Sequence, residues 1–436
     1  MKLIHAFVLV AIFAAPALSY DNNAPHSKLP PLGWSSWVAL GPGDAHPIFD
    51  YCDEASVKAA IDAFVSPDLG LYKAGYRHFH LDDCWAGGRN ESGFLFPEKD
   101  HFPNGMKPVV DYAHSRGVVF GLYTCAGTKT CVGGRPGSKD HWDKDAAVWA
   151  EWNVDWVKMD WCNTEGLVPQ TTYPLMSKAL NKTGRSIHLN MCEWGVNQPW
   201  EWGFDIAQSW RSTEDHEGVW SSTKRIISET AKIPASGTGK AYGWNDMDML
   251  ETGNYAQAAH ANGKESNMTA DEYKTEFSMW AIAASPLVVT TPIMKCSSAS
   301  INDKGVVCTP RITELQKEIL LNTDILAINQ DVTPQGRPVV VGDISIWARM
   351  LTGGDVVVAL YNEDDTTKEF SFEFETLSVG SGDPIDPNKS WSSETQAQIQ
   401  DLWAGTSLGK YQGKYPTSGT VKVAPHSTKL LRLSKD

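Results

Sequence analysis

Basic runs and long apolar segments are scarce in this sequence of 436 residues. Lys and Arg number 38 against 52 Asp and Glu, which gives a formal net charge of −14. A chain with this charge and no basic run is a poor partner for nucleic acid or an anionic membrane. After the amino-terminal stretch, no segment is apolar for long enough to span a bilayer. We therefore expect a soluble protein with a neutral or cationic ligand.

Zinc-ligand motifs are also missing. None of the 8 Cys forms a Cys-x-x-Cys pair, and no His cluster has ligand spacing. We therefore predict no catalytic metal and no cofactor. The 18 Trp offer flat faces that can stack on sugar rings, although most Trp residues simply fill core volume.

The amino terminus has the features of an export signal. Lys2 precedes an apolar run that ends near Ala17, and small residues up to Ser19 suit cleavage, so we predict a signal peptide over residues 1–19. In an exported chain the cysteines suggest disulfides, although eight cysteines allow about 105 pairings. We expect secretion, with a lysosome or vacuole as the alternative destination. Four glycosylation sequons agree with export, at Asn90, Asn181, Asn267 and Asn388.

Short apolar runs alternate with amphipathic stretches from Pro31 onward. Strands that alternate with helices indicate a parallel sheet, and eight of them indicate a closed (β/α)8 TIM barrel, which we place at residues 20–331. The predicted strands are 32–37, 78–83, 119–124, 156–160, 188–192, 206–211, 243–246 and 286–291. The predicted helices are 54–65, 105–116, 144–152, 173–181, 219–232, 270–284 and 311–322, and the crossover at 199–205 is weakly helical.

The pattern changes after Asp331. Short, often alternating strands separated by turn residues predict a C-terminal antiparallel β-sandwich domain at residues 332–436. We expect this domain to be mainly structural, with substrate contact as the alternative. Its predicted strands are 339–341, 344–350, 355–361, 369–375, 399–403, 420–423 and 429–433.

Acidic residues follow several predicted barrel strands, at the end where such barrels place their chemistry. Asp160 ends the fourth strand, with Lys158 two residues earlier on the same strand face. Asp82 and Asp83 close the second strand, and two such carboxylates can accept hydrogen bonds from several sugar hydroxyls. Asp215 follows the sixth strand. A single acid of this kind more often caps a helix or lies in a solvated loop, so only the combination is informative.

Hydrolysis of a glycoside with retention needs two carboxyl groups about 5 to 5.5 Å apart, one as nucleophile and one as acid. Two different barrel strands can supply that spacing. A nearby Lys158 ammonium would favour the ionised form of Asp160, as a nucleophile requires.

Six motifs in order resemble glycoside hydrolase family 27, whose best-known members are α-galactosidases. The resemblance runs from about residue 30 to the carboxyl terminus and includes residues 401–403 (DLW) and 424–426 (APH) in the second domain. The six motifs are residues 32–34 (LGW), 81–85 (LDDCW), 157–160 (VKMD), 192–194 (CEW), 210–211 (WR) with Asp215, and 243–250 (GWNDMDML).

The resemblance implies a retaining exo-glycosidase with Asp160 as nucleophile and Asp215 as general acid and base. It also implies disulfides between Cys52 and Cys84 and between Cys131 and Cys162, while Cys296 with Cys308 is expected from proximity alone. The implied substrate-binding residues are Trp37, Asp82, Asp83, Tyr123, Lys158, Cys162, Glu193, Trp194, Arg211, Asp246 and Met249.

The expected partner is a terminal α-galactoside of an oligosaccharide, a polysaccharide side chain or a glycoconjugate. Family members that accept N-acetylgalactosamine have small residues after the fifth strand, whereas residues 193–196 (EWGV) would crowd that group. The alternatives are an α-N-acetylgalactosaminidase, a β-L-arabinopyranosidase and a non-catalytic sugar-binding protein on the same barrel. Homo-oligomerisation is left open.

Three positions depart from the family pattern. Cys125 stands where many relatives carry Asp, and His216 follows the expected acid where relatives place an apolar residue. We expect these two to influence substrate preference and pH optimum. Cys192 has no obvious partner on the sixth strand, so Cys125 and Cys192 are expected to be free or unusually paired.

Overall fold

The computed structural model describes residues 25–37, 52–132, 134–252, 268–296, 308–378 and 391–435. Within these ranges no helix has the length and apolar character needed to cross a membrane. The predicted signal peptide and the sequons at Asn267 and Asn388 lie outside the described residues. Asn90 and Asn181 are both exposed.

Eight parallel strands form the first sheet. They are Leu32–Ser35, His78–Leu81, Val119–Cys125, Trp156–Asp160, His188–Met191, Ser209–Arg211, Trp244–Asp246 and Leu287–Val289. Each of the first seven strands pairs with its neighbour in this order, and the last strand pairs with the first. The Leu250 amide donates to the Val288 carbonyl and the Leu250 carbonyl accepts from Thr290, so the seventh and eighth strands meet through Leu250. The predicted (β/α)8 barrel is confirmed.

Amphipathic helices follow the strands and cover the barrel. Asp53 caps the first long helix by accepting from the Ala55 and Ser56 amides, and Thr269 with Glu272 forms a capping box on helix Ala270–Ile282. The helices are Glu54–Val65, Leu71–Ala74, Lys107–Ser115, Trp142–Glu151, Pro169–Lys182, Trp220–Thr230, Ala270–Ile282, Glu314–Leu320 and Thr323–Asn329. Single 3₁₀ turns lie at Pro25–Ser27, Pro199–Glu201, Gly203–Asp205, Ala235–Gly237 and Phe374–Ser378.

An antiparallel sheet of six strands follows, with its own apolar core. In sheet order its strands are Arg337–Val340, Ser345–Met350, Val356–Tyr361, Thr428–Lys435, Gln396–Asp401 and Thr406–Gln412. Four two-stranded ladders complete the structure: Lys368–Phe370 with Val421–Val423, Phe372–Glu373 with Lys414–Tyr415, Ala86–Arg89 with Leu95–Pro97, and Met294–Cys296 with Cys308–Pro310.

Helix Ala270–Ile282 joins the barrel to this second sheet. Thr275 donates to the His426 carbonyl (2.9 Å), and the Trp403 indole donates to Ser278 (2.8 Å). Most of the helix is buried because it is covered on both sides. Its apolar residues therefore surround it rather than forming one stripe.

Most expected elements are present, and the differences have local reasons. Strand Thr406–Gln412 was not predicted, since it is largely exposed and carries Gly409 at φ 104° beside a register shift. The expected strand 369–375 is divided between two short ladders. Helix Thr323–Asn329 was also missed, because the helix before it ends at Leu320 and Asn322 caps a new one.

Candidate active site

Asp160 is the last residue of strand Trp156–Asp160 and is 7% exposed. Its Oδ2 accepts a hydrogen bond from the Tyr123 hydroxyl (3.0 Å), and its Oδ1 accepts from the Trp161 amide (2.9 Å). Both bonds stabilise the charged carboxylate. The strand register brings these groups together because Tyr123 lies opposite Lys158, and Cys125 lies opposite Asp160.

Opposing effects act on the Asp160 carboxyl. Burial raises the pKa of Asp160, the Lys158 ammonium lowers it, and the negative charge of Asp215 raises it. The expectation that Lys158 favours the ionised form is confirmed in direction, although burial is the larger effect. A buried carboxyl between a cation and a second carboxylate is an arrangement found at catalytic sites.

Lys158 is buried and connects two of the acids. Its Nζ lies 3.4 Å from Asp82 Oδ2, and 5.4 and 5.7 Å from the ring centroids of Tyr123 and Trp37. Burial lowers the pKa of Lys158, but the Asp82 carboxylate and other neighbouring negative charges outweigh it, so the pKa lies above its ordinary value. Lys158 is therefore a buried cation between aromatic rings.

Asp82 and Asp83 lie in the turn after strand His78–Leu81, and both are almost fully buried. Asp82 Oδ1 accepts from the Asp83 amide (2.7 Å), and Asp83 Oδ2 accepts from the Val132 amide (3.1 Å). Burial and the adjacent Asp82 charge raise the pKa of Asp83 to about 7. The pair therefore offers one carboxylate next to Lys158 and one carboxyl that gains a proton near neutral pH.

Arg211 links the acidic loop to the end of the seventh strand. Its Nη2 lies 3.1 Å from Asp215 Oδ1, and its Nη1 lies 3.0 Å from Asp248 Oδ1. The Arg211 side chain is 3% exposed, whereas that of Asp215 is 47% exposed. A buried cation thus holds a carboxylate that remains accessible to solvent.

Asp248 holds two loops of the site together, a role that the sequence did not indicate. It has a positive φ of 82° and accepts hydrogen bonds from the Met249 and His216 amides. These contacts connect the loop that carries Asp215 to the loop after strand Trp244–Asp246. The motif GWNDMDML contains Asp248, but its role depends on a contact with Arg211 that no local pattern indicates.

Glu193 lies at the end of the fifth strand and is 1% exposed. Its carboxylate accepts from the amide and the side-chain nitrogen of Asn197, and burial raises the pKa of Glu193. Trp194 has a φ of 59°, and Gly195 has a φ of 75°. A Cβ on Gly195 would lie 2.3 Å from the Ser212 carbonyl, so this loop fits closely against the segment leading to Asp215. In the described structure Glu193 thus binds its own loop.

Asp246 and Met249 occupy the end of the seventh strand. Asp246 Oδ2 accepts from the Asn190 side chain (2.9 Å), and Oδ1 accepts from the Asp248 amide (2.9 Å). Burial raises the pKa of Asp246, and Arg211 opposes this rise. Met249 packs near Trp37, together with Trp156 and Val288.

Two expected disulfides are present, Cys52–Cys84 and Cys131–Cys162. Cys125 and Cys192 are free and buried. Cys125 Sγ lies 3.1 Å from the Cys162 amide, from which it accepts, and 3.0 Å from the Cys162 carbonyl. The backbone of Cys296 is paired with that of Cys308, but their side chains lie outside the described part of the structure.

One group of possible metal ligands was found among the described residues, formed by Cys131, Asp160 and Cys162, whose ligand atoms lie within 4.8 Å of one another. Both sulfur atoms belong to the disulfide, so neither is available as a thiolate.

His216 is fixed behind the acidic loop. Its ring lies 3.0 Å from the Met249 carbonyl and 3.0 Å from the Thr223 hydroxyl, and its centroid is 5.0 Å from that of Trp280, with the two rings tilted by 40°. Burial lowers the pKa of His216 to about 4. The ring is therefore neutral at pH 5 and above, and the expectation that His216 influences the pH optimum stays a prediction.

Comparisons with known proteins identify the family of this chain. Residues 29–331 match the family model described as α-galactosidase A, and residues 341–433 match the model of the α-galactosidase C-terminal β-sandwich domain. The chain belongs to the α-galactosidase family, glycoside hydrolase family 27.

Full-length relatives of this family agree. The chain is 33% identical to α-galactosidase A of Cellvibrio japonicus over 98% of this chain and 96% of the relative. It resembles the crystal structure of α-galactosidase I from Mortierella vinacea, with a TM-score of 0.78, 29% identity and coverage of 94% and 98% of the two chains. An α-galactosidase of Saccharomyces cerevisiae solved with raffinose gives a TM-score of 0.75, 26% identity and coverage of 96% and 100%.

Proposed function

We propose that this protein is a retaining exo-α-galactosidase in which Asp160 is the nucleophile and Asp215 is the general acid and base. The observation that carries the proposal is the contrast between the two carboxyl groups. Asp160 is buried with two hydrogen-bond donors on its oxygens, whereas Asp215 is half exposed and held by Arg211. A nucleophile needs a fixed orientation, and an acid and base needs exchange with solvent.

Hydrolysis then proceeds in two displacements. In the first, a carboxylate oxygen of Asp160 bonds to the anomeric carbon while the glycosidic bond breaks and the leaving oxygen takes the proton of Asp215. In the second, Asp215 removes a proton from water, the water oxygen bonds to the anomeric carbon, and the bond to Asp160 breaks. Lys158 and the Tyr123 hydroxyl stabilise the carboxylate that is released.

The sugar is held by the groups around these two acids. Carboxylates accept from sugar hydroxyls and the ammonium of Lys158 donates to them, while an aromatic face packs on the ring. The residues that we assign to binding are Trp37, Asp82, Asp83, Tyr123, Lys158, Cys162, Glu193, Trp194, Arg211, Asp246 and Met249. Arg211 Nε is buried without a hydrogen-bond partner in the described structure, which leaves a donor for a ligand oxygen.

The preferred sugar is galactose rather than N-acetylgalactosamine or arabinopyranose. The loop 193–197 is locked by Glu193 with Asn197 and by Gly195 against Ser212, so it cannot easily move to admit a 2-acetamido group. Asp82 and Asp83 are both proposed to accept hydrogen bonds from the 4- and 6-hydroxyl groups of galactose. We expect hydrolysis of nitrophenyl α-galactoside to exceed that of nitrophenyl α-N-acetylgalactosaminide and β-L-arabinopyranoside. No hydrolysis of any of the three would favour a non-catalytic sugar-binding protein.

The nucleophile is tested by Asp160→Gly. Activity on an aryl α-galactoside should fall by at least about a thousandfold and return partly when azide or formate is added, because a small anion can take the place of the lost carboxylate. Activity that survives without an added anion would refute the assignment. Asp324→Asn, a change at an exposed position on helix Thr323–Asn329, is the control.

The proposal also covers the export of the chain, its processing and the source of its substrate. We assign residues 1–19 to a cleaved signal peptide, residues 20–331 to the barrel and residues 332–436 to the second domain. Asn90 and Asn181 are exposed and can accept glycans. Terminal α-galactosyl groups of raffinose-type oligosaccharides, polysaccharide side chains or glycoconjugates are the proposed substrates, outside the cell or in a lysosome or vacuole.

A further inference from the structure

A cavity of about 170 Å³ lies where helix Ala270–Ile282 meets the second sheet. None of the residues assigned to the active site lines it. It is smaller than the roughly 300 Å³ of a drug-sized pocket. A single sugar ring is a ligand of suitable size. The lining residues are Asp271, Lys274, Asp401, Trp403, Ser427, Thr428 and Lys429.

The cations in the wall of the cavity already have partners. Lys274 Nζ lies 2.6 Å from Glu318, and Lys429 Nζ lies 3.5 Å from Asp401. A charged ligand would have to compete with these pairs. A neutral ligand with several hydroxyl groups can instead donate to the carboxylates and accept from the ammonium groups while both pairs remain. Charge therefore favours a neutral polyhydroxylated molecule.

Trp403 provides a fixed aromatic surface on the same cavity. Its indole nitrogen donates to Ser278 (2.8 Å), and Lys274 Nζ lies 5.4 Å from its ring centroid. These contacts hold the ring, which remains partly exposed. A held aromatic ring can pack on the apolar face of a sugar with little loss of conformational entropy.

We propose that this cavity is a second carbohydrate site, which binds one neutral hexose unit of a saccharide. Asp271 binds its hydroxyl groups, and Trp403 packs on its ring. Binding here requires no bond cleavage and none of the residues at the strand ends. The second site can therefore be tested independently of the hydrolase activity.

Fluorine NMR of the full chain labelled with 5-fluorotryptophan tests the site locally. The Trp403 signal is assigned by its loss in Trp403→Phe. Titration with galactose, glucose and mannose should shift this signal saturably for at least one sugar, while glucuronate, the charged counterpart of glucose, should bind more weakly than glucose. A signal that does not move with any of the three sugars, or that responds only to glucuronate, would refute the proposal.

One variant tests the group that binds the hydroxyls. Asp271→Asn should weaken binding roughly five- to tenfold, since no protein partner of this exposed carboxylate is found in the described structure.

The control carries the same substitution outside the cavity. Asp324→Asn lies, like Asp271, in the first turn of a helix. It should bind as the unaltered chain does. Unaltered binding by Asp271→Asn would overturn the assignment.

Discussion

Asp83→Asn should make the protein more resistant to alkaline conditions while weakening its activity. The Asp83 carboxyl is 2% exposed and lies beside Asp82. Burial and this neighbouring charge raise the pKa of Asp83 from 3.8 to about 7. The native state therefore binds the proton more tightly than the unfolded chain does. The stabilisation from this proton is fully present below about pH 4 and is lost as the pH rises through about 7.

The size of the effect follows from the two pKa values. With these values, the linkage relation gives a loss of about 2.6 kcal/mol from the stability of the unaltered chain between pH 5 and pH 8. Asparagine cannot ionise, so the variant escapes this loss, and its side-chain oxygen can still accept from the Val132 amide. For a chain of this length the difference corresponds to about 3 °C in melting temperature.

Thermal unfolding of both proteins at pH 5 and pH 8, at one scan rate, measures this difference. The melting temperature of Asp83→Asn relative to the unaltered chain should rise by about 3 °C between the two pH values. Asp324→Asn also removes a negative charge, at an exposed position. It should change the melting temperature by the same amount at both pH values. An Asp83→Asn difference that is independent of pH would refute the reasoning. Activity measured at pH 8, where the Asp83 carboxyl of the unaltered chain is mostly ionised, should fall at least about tenfold, because a hydrogen bond to a charged group is lost.

Three further predictions concern the supports of the site. Asp215→Asn should reduce hydrolysis of substrates with poor leaving groups far more than that of activated aryl galactosides, and an equal loss in steady-state assays would argue against an acid role. Asp248→Ala should lower the free energy of unfolding in urea by about 3 kcal/mol, because it removes a partner of the buried Arg211, whereas a change below about 1 kcal/mol would contradict this role. Burial raises the pKa of Cys125 to about 12 and that of Cys192 above its ordinary value, so mass spectrometry should find neither alkylated by iodoacetamide at pH 8 until the chain unfolds.

Local patterns in the sequence were sufficient to place the barrel strands. The expected strand 156–160 coincides with Trp156–Asp160, and the expected helix 54–65 coincides with Glu54–Val65. Apolar runs and helical periodicity are properties of neighbouring residues, so they can be read without the fold. Strand Thr406–Gln412 was missed because it buries little and therefore has no apolar pattern.

The sequence indicated which residues belong to the candidate site, but not which of them contact one another. Sequence placed Lys158 and Asp160 on one strand face because side chains alternate along a strand. That Lys158 lies closest to Asp82, 76 positions away, depends on strands from distant parts of the chain being brought together. The disulfide expected at Cys162 was inferred from resemblance, since cysteine counting alone leaves many pairings open.

By itself, the sequence determined which residues carry charge, which faces are apolar and where most barrel strands lie, because these depend on residue type and local periodicity. Tertiary structure decided what each acid does. Closure of the barrel buries Asp83 and raises its pKa, places Lys158 beside Asp82, and joins Arg211 to Asp248. Burial and pairing depend on distances between residues far apart in the chain, and those distances are fixed only when the chain has folded.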